Sequence, residues 1–204
     1  MIQRIFVLVL TVFLSQSCSL ANINAKEEVV VPLDATTTIK PEDIKEGDNI
    51  SKILASITVQ DSSGKKKAFK SYVNNKESVV IFVKPGCVFC ESFEAILDST
   101  KPKIRPNLVM VMDSSHAALK DLNEAKKKHP NIKATWLYDN QDSFKKTLGV
   151  TAFPKFIHVD RNGKLLHLKN GLIVPENNEE LKTLPFAEIL QKLSLNTVSW
   201  LGSL

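Results

Sequence analysis

Cysteine is scarce in this chain. Three of its 204 residues are Cys, and beyond Cys18 only Cys87 and Cys90 remain. Structural zinc usually needs four ligands, so this single pair lacks the second Cys or His pair that such a site requires. The four histidines, His116, His129, His158 and His167, form no pair at short ligand spacing. Long apolar runs are missing too. After the N-terminal segment nothing approaches the ~18 unbroken apolar residues of a membrane span. The formal charge is +5, yet no basic stripe with interleaved aromatics runs through the chain. Lys65-Lys66-Lys67 and Lys126-Lys127-Lys128 are short clusters of the kind a solvated face carries, which argues against a nucleic-acid partner. No internal repeat is visible. With 43% hydrophobic and 24% charged residues the composition is that of a globular protein and excludes wholesale disorder. The length fits one domain plus extra segments.

The start of the chain reads differently from the rest. Arg4 precedes the apolar run "IFVLVLTVFL" (5–14), which has the length of a signal-peptide core. Small residues follow, and cleavage is expected after Ala21, or after Ala25 at a looser second site. Cys18 sits in a poor lipoprotein context, because Leu14 lies one place too early. A lipid anchor at Cys18 is the less favoured outcome, and Cys18 is expected to leave with the leader. The exported chain then carries one isolated Cys pair in a compartment where disulfides persist. The expected divisions are a signal peptide over 1–25, a flexible linker over 26–48 and a folded domain over 49–204.

Within that domain a β-hairpin is expected first, with a strand near 57–60, a turn at Ser62-Ser63-Gly64 and a return through Ala68-Phe69. Strands and helices then alternate. "SVVIFV" (78–83) and "LVMVMD" (108–113) are continuous apolar runs of the kind found in central buried strands. Phe93, Ile96 and Leu97 have helical spacing, as do Leu119, Leu122 and Ala125. "ATWLYD" reads as a third strand, "QDSFKKTLGV" as a helical turn or two, and "KFIHVDRNGKLLHL" as a hairpin turning at Asn162-Gly163. His158 and His167 should face each other across that hairpin. A helix from residue 179 closes the chain. The pattern implies an α/β fold with a mixed central sheet and helices on both faces, its working residues where strands end and helices begin.

"KPGCVFC" (84–90) lies at such a junction. If a helix starts at or just after Cys87, the two sulfurs sit on one turn, close enough to bridge. Unpaired N–H groups and the helix dipole favour a thiolate on the first Cys. In other CxxC motifs such a thiol falls from about 8.5 to roughly 3.5–7.5. Cys87 would attack a substrate disulfide and Cys90 would resolve the mixed disulfide. A metal site and two inert core thiols are the competing readings of these residues alone. Pro154, at the head of a strand, suits a cis-proline that bends the chain into the sheet.

Together, "VVIFVKPGCVFCESFEAIL" and "LGVTAFPKFIHVDRNGKLL" resemble thioredoxin-like proteins. The upstream "SITVQDSSGKKKAFKSYV" is similar to the hairpin of the exported TlpA/ResA-type branch. The resemblance spans roughly residues 50 to 193. It implies a thioredoxin fold with an N-terminal β-hairpin extension, Cys87 as nucleophile, Cys90 as resolving thiol and Pro154 as the cis-proline. Phe89 and Phe153 would be apolar contacts for substrate, together with Pro154. No cofactor or metal is implied.

Several positions depart from the family pattern. Gly86 stands where thioredoxins have Trp, Ile81 where they bury an Asp, and Ala95 where they kink the helix with Pro. The Glu that TlpA/ResA-type proteins carry three residues after the second Cys is Phe93, with Glu91 and Glu94 nearby. The expected function is an exported, periplasmic thiol–disulfide oxidoreductase, working as reductase or isomerase rather than oxidase. Its substrates would be protein thiols and disulfides, its electron source a membrane redox partner, and its state monomeric, with no transmembrane span after signal cleavage. The alternatives are a metal-binding or metallochaperone module on the same fold, a thiol peroxidase, and an interaction domain with an idle CxxC.

Overall fold

The computed structural model describes residues 40–204 apart from 116, 140 and 176. The leader, Cys18, linker residues 26–39 and His116 therefore lie outside the described residues.

The strands are β1 (Thr58–Asp61), β2 (Lys66–Ala68), β3 (Ser78–Val83), β4 (Asn107–Asp113), β5 (Thr135–Asp139), β6 (Lys155–Val159) and β7 (Leu165–Asn170). The helices are α1 (Ser51–Ser56), α2 (Lys70–Val73), α3 (Val88–Thr100), α4 (Leu119–Lys128), α5 (Ser143–Leu148) and α6 (Phe186–Ser203). Among the described residues seven strands form one mixed sheet in the order β2-β1-β5-β4-β3-β6-β7. β3, β4 and β5 run parallel, and the remaining pairings are antiparallel. This is the α/β architecture the sequence implies, with the N-terminal hairpin β1–β2 extending one edge.

Strand periodicity divides the core in two. All six residues of β3 are buried. Val80 and Phe82 point to one face with Val109, Val111, Leu137 and Ile157. Val79, Ile81 and Val83 point to the other with Met110, Met112, Trp136 and Phe156. The first face is covered by α1, α2 and α5, through Leu54, Val73, Phe144 and Leu148. The second is covered by α3, α4 and α6, through Phe93, Leu97, Leu122, Val198 and Leu201. An element buried on both faces has no room for alternation of polarity, so β3 is apolar after Ser78.

Three local features differ from expectation. Residues 40–48, expected as the end of the linker, are folded onto the domain. Ile44 is buried, the Gly47 N–H donates to Leu165 O at 2.7 Å, and Glu46 Oε1 accepts from the Leu168 N–H at 2.9 Å. Isolated polar residues with a single apolar anchor carry no period, so the sequence hid this packing. The short helices α1 and α2, of 6 and 4 residues, are too brief to display a helical repeat. α1 is held close to the β6–β7 turn at Gly163, whose φ is +81° and whose Cβ would stand 2.7 Å from Ser51 Cβ. The closing helix is also split. A 3-10 turn covers Glu179–Thr183, Leu184 is extended ahead of Pro185, and α6 starts at Phe186. A residue before proline is disfavoured in helical conformation, which separates the two segments.

Phe144 ties α5 to the sheet. It is 1% exposed, and its ring meets Phe69 at 4.8 Å and Phe82 at 4.7 Å, both edge-on. Phe144→Ala is expected to lower the unfolding free energy in urea by about 3–5 kcal/mol. Phe186→Ala, at an exposed position, should stay within about 0.5 kcal/mol. A loss below about 1 kcal/mol at Phe144 would contradict the packing of α5 on β3.

Candidate active site

β3 delivers the chain to the site. After Val83 comes Lys84-Pro85-Gly86, and Gly86 takes φ +69°, a left-handed turn that a side chain would strain. Cys87 is extended (φ −90°, ψ 103°) and caps α3. Its Sγ accepts a hydrogen bond from the Cys90 N–H at 3.2 Å, and its carbonyl accepts from the Glu91 N–H at 3.0 Å. The sulfur thus occupies the place an Asp or Ser side chain fills at an ordinary N-cap. Cys87 and Cys90 are joined as a disulfide, with their Cα atoms 5.2 Å apart. The two are unequal in access. Cys87 is 7% exposed and Cys90 is fully buried.

The second piece of the site is the loop before β6. The Phe153–Pro154 peptide bond is cis, and Phe153 O lies 3.7 Å from Cys87 Sγ. Pro154 is buried and Phe153 half-buried, with Lys84 Nζ 5.4 Å above its ring. The structure therefore brings together Cys87, Cys90, Phe153 and Pro154. Phe89 stands slightly apart. It is exposed, and its ring meets Phe186 of α6 edge-on at 6.1 Å. Phe186 was not among the expected site residues. Its place in the sequence, ninety-odd residues from the Cys pair, gave no sign of the contact.

Glu94, which the sequence marks only as a carboxylate close to Phe93, is the other residue of note. It lies in α3 four residues after Cys90 and is only 6% exposed. Its Oε2 is 3.9 Å from Nε2 of His129, itself 5% exposed, and its Oε1 has no hydrogen-bond partner. Burial pushes the Glu94 carboxyl up to about 7, against the pull of Lys128 and with help from Glu91. Burial likewise pushes His129 down, which keeps its ring neutral at neutral pH. The available signal was a carboxylate on the apolar stripe of Cys90, Phe93 and Leu97. Ile81, where an acid would stand in the family pattern, is fully buried among apolar side chains.

His158 and His167 do pair across the β6–β7 ladder, with ring centroids 5.4 Å apart, and His158 Nε2 is 2.9 Å from Glu77 Oε1. Among the described residues no group of three or more His, Cys, Asp or Glu side chains is placed to hold a metal ion. Nor is any helix among them long and apolar enough to cross a membrane.

No curated protein matches the chain. Among solved structures it is similar to a secreted Mycobacterium tuberculosis disulfide oxidoreductase homologous to E. coli DsbE, at 18% identity, covering 71% of this chain and 97% of that one with a TM-score of 0.47. It is similar to StoA from Bacillus subtilis at 16% identity, covering 61% and 92% with a TM-score of 0.43. It is also similar to the exposed lipoprotein thioredoxin Etrx1 of Streptococcus pneumoniae, at 19% identity, covering 62% and 95% with a TM-score of 0.43. The profile of the thioredoxin-like domain family matches residues 65–184, a span that holds the Cys pair, the cis-proline loop and the strands between them. Since that match takes in more than half of the chain, the protein belongs to the thioredoxin-like domain family.

Proposed function

We propose that this protein is an exported thiol–disulfide oxidoreductase whose Cys87–Cys90 pair cycles between disulfide and dithiol. One observation carries the reading: the Cys87 sulfur caps α3, bonds to a fully buried Cys90 and lies beside the Phe153 carbonyl. In the reduced state the dipole of the 13-residue helix and the Cys90 N–H favour thiolate at Cys87. That thiolate attacks one sulfur of a substrate disulfide, whose other sulfur departs as a thiolate. Cys90 then attacks Cys87 Sγ, releasing the second substrate sulfur and closing the Cys87–Cys90 bond. The substrate gains two electrons and the Cys pair loses two.

Substrate contact is assigned to Phe89, Phe153 and Pro154. An extended segment can pair with the backbone at Phe153 while apolar side chains rest on Phe89 and Phe153. We read the physiological direction as reduction or isomerisation, on the likeness of the β1–β2 hairpin and its "DSSGK" turn to the TlpA/ResA-type branch. That direction calls for a membrane partner to re-reduce the pair. The substrates are protein thiols and disulfides, and the protein works as a monomer. Export to the periplasm rests on the N-terminal sequence pattern, with residues 1–25 as signal peptide and 26–39 as linker.

Two measurements test this. Cys87→Ser should abolish reduction of insulin disulfides, while Cys90→Ser should accumulate mixed disulfides visible on non-reducing gels. Faster alkylation of Cys90 than of Cys87 in the reduced protein at mildly acidic pH would reverse the assigned roles. Mass spectrometry of the exported protein should find a chain cut after Ala21 or Ala25. A product beginning at diacylated Cys18 would make it a lipoprotein, and one retaining Met1 would refute export by cleavage.

A further inference from the structure

α3 runs back from Cys87 along the sheet for 13 residues, roughly 20 Å. α4 likewise runs back from the end of β4 to the start of β5, which is parallel to it. The C-terminal ends of both helices and the loops entering β4 and β5 therefore meet at the end of the sheet remote from the Cys pair. Two segments far apart in sequence come together there. Lys101 and Ile104 line one cleft with Ile132 and Lys133, and Lys133 also lines the next cleft with Lys126, Lys127 and Trp136. Asp98 fixes the junction through its hydrogen bonds from Asn131.

This junction is cationic. Lys101, Lys103, Arg105, Lys126, Lys127 and Lys133 are all exposed. Among the described residues none of them pairs with a carboxylate. Acids near the junction are directed elsewhere. Asp98 is taken by Asn131, and Glu77, whose carbonyl accepts from the Asn107 N–H, is taken by His158. Asp121 and Glu124 of α4 lie on the cleft beside Lys84. The dipole of α4 favours cations in its last turn, which accounts for Lys126 and Lys127. It does not account for Lys103, Arg105 and Lys133, which lie beyond the helix ends.

Apolar side chains lie between the charges. Ile104 stands half-buried between Lys103 and Arg105, and Leu97, Leu108 and Ile132 line the cleft beside it. All but one of the cations are lysines, point charges without the planar fork that grips one carboxylate by both oxygens. Mobile ammonium groups on apolar stems suit a field of many phosphate headgroups better than the few fixed carboxylates of an acidic protein.

We infer that this end of the molecule docks on an anionic phospholipid bilayer, with the lysines on the headgroup phosphates and Ile104 at the interface. The inference is independent of the redox cycle proposed above. Seated this way, the protein holds its Cys pair roughly 20 Å from the bilayer, at the far end of α3 and open to solution.

The test is sedimentation of the protein with vesicles of phosphatidylcholine alone, or of phosphatidylcholine and phosphatidylglycerol in equal parts. Neutral vesicles report any binding through the N-terminal segment, which every variant shares. Partitioning onto the anionic vesicles should be the stronger and should fall steeply with added salt. Lys101→Gln, Lys103→Gln, Arg105→Gln and Lys133→Gln combined should weaken it at least about 100-fold, since each basic residue at an anionic surface is worth about fivefold. Lys52→Gln, Lys65→Gln, Lys66→Gln and Lys70→Gln combined remove the same charge from the α1, α2 and β1–β2 side. That variant should stay within about threefold of wild type, because charges more than a Debye length from the surface are screened. If the first variant does not fold, Lys103→Gln with Arg105→Gln carries the comparison, with an expected loss of about 25-fold. Alkylation of Cys87 in the reduced protein should run at the same rate with and without vesicles. Equal losses in the two quadruple variants, or equal binding to both kinds of vesicle, would overturn the proposal. So would retention on heparin without partitioning onto anionic vesicles, which would give the face to a soluble polyanion. Protection of Cys87 by vesicles would overturn it as well, because the opposite end would then be the one on the bilayer.

Discussion

The burial of β3 on both faces is the constraint from which the rest of this molecule follows. A strand with apolar side chains above and below must be covered twice, and the chain does so with α1, α2 and α5 on one side and α3, α4 and α6 on the other. Its parallel pairing with β4 and antiparallel pairing with β6 fix two neighbours at its end, since Phe82 stands opposite Lys155. That register brings the residues just after β3 and just before β6 to the same edge. Cys87 and Phe153 are five and two residues beyond this pair, and their meeting is a consequence of strand alignment rather than of local sequence.

The chemical inequality of the two cysteines has the same origin. The turn at Pro85-Gly86 lets the chain leave the sheet and enter α3 at once, with Cys87 as the cap and Cys90 one turn inside. A cap position gives its side chain the unpaired N–H groups of the first turn. A position one turn inside, on the stripe that packs against Ile81 and Phe156, sets its side chain in an apolar cluster. One residue is therefore favoured as an anion and the other penalised as one, although both are the same amino acid three places apart.

The order of legibility follows the length scale of each signal. β3, β4, α3 and the β6–β7 hairpin were readable because continuous apolar runs, helical spacing and an Asn-Gly turn are local. The Cys pair, Phe153 and Pro154 were readable from motif context, and the structure sets them together. α1, α2 and the docked segment 40–48 were not, because helical pieces of three to six residues are too short to repeat the period that would reveal them. The Phe89–Phe186 contact was unreadable for another reason. It joins two helices through α3–α6 packing, which includes a 2.9 Å hydrogen bond between Ser92 and Ser194, and nothing near residue 186 refers to residue 89.

Glu94 is a buried acid on α3, whereas β3 carries none. An acid on β3 would have to replace a side chain such as Ile81 that is fully buried in the sheet's own core. On α3 the acid lies where two helices meet, and burial there is less complete. The neighbourhood is held in place without using the carboxyl itself. One turn further along, Asp98 accepts from the Asn131 N–H at 2.7 Å and from Asn131 Nδ2 at 3.2 Å, which clamps the loop following α4 onto α3. His129, the C-cap of α4, is carried by that loop to within 3.9 Å of Glu94. The clamp fixes the distance between helix and loop, so the carboxyl stays desolvated and close to neutral pH in its titration while one oxygen remains free. A carboxylate fully satisfied by hydrogen bonds to its charged form would instead be held low. Here the satisfied acid, Asp98, ties the loop to the helix, while the unsatisfied one, Glu94, stays buried beside His129.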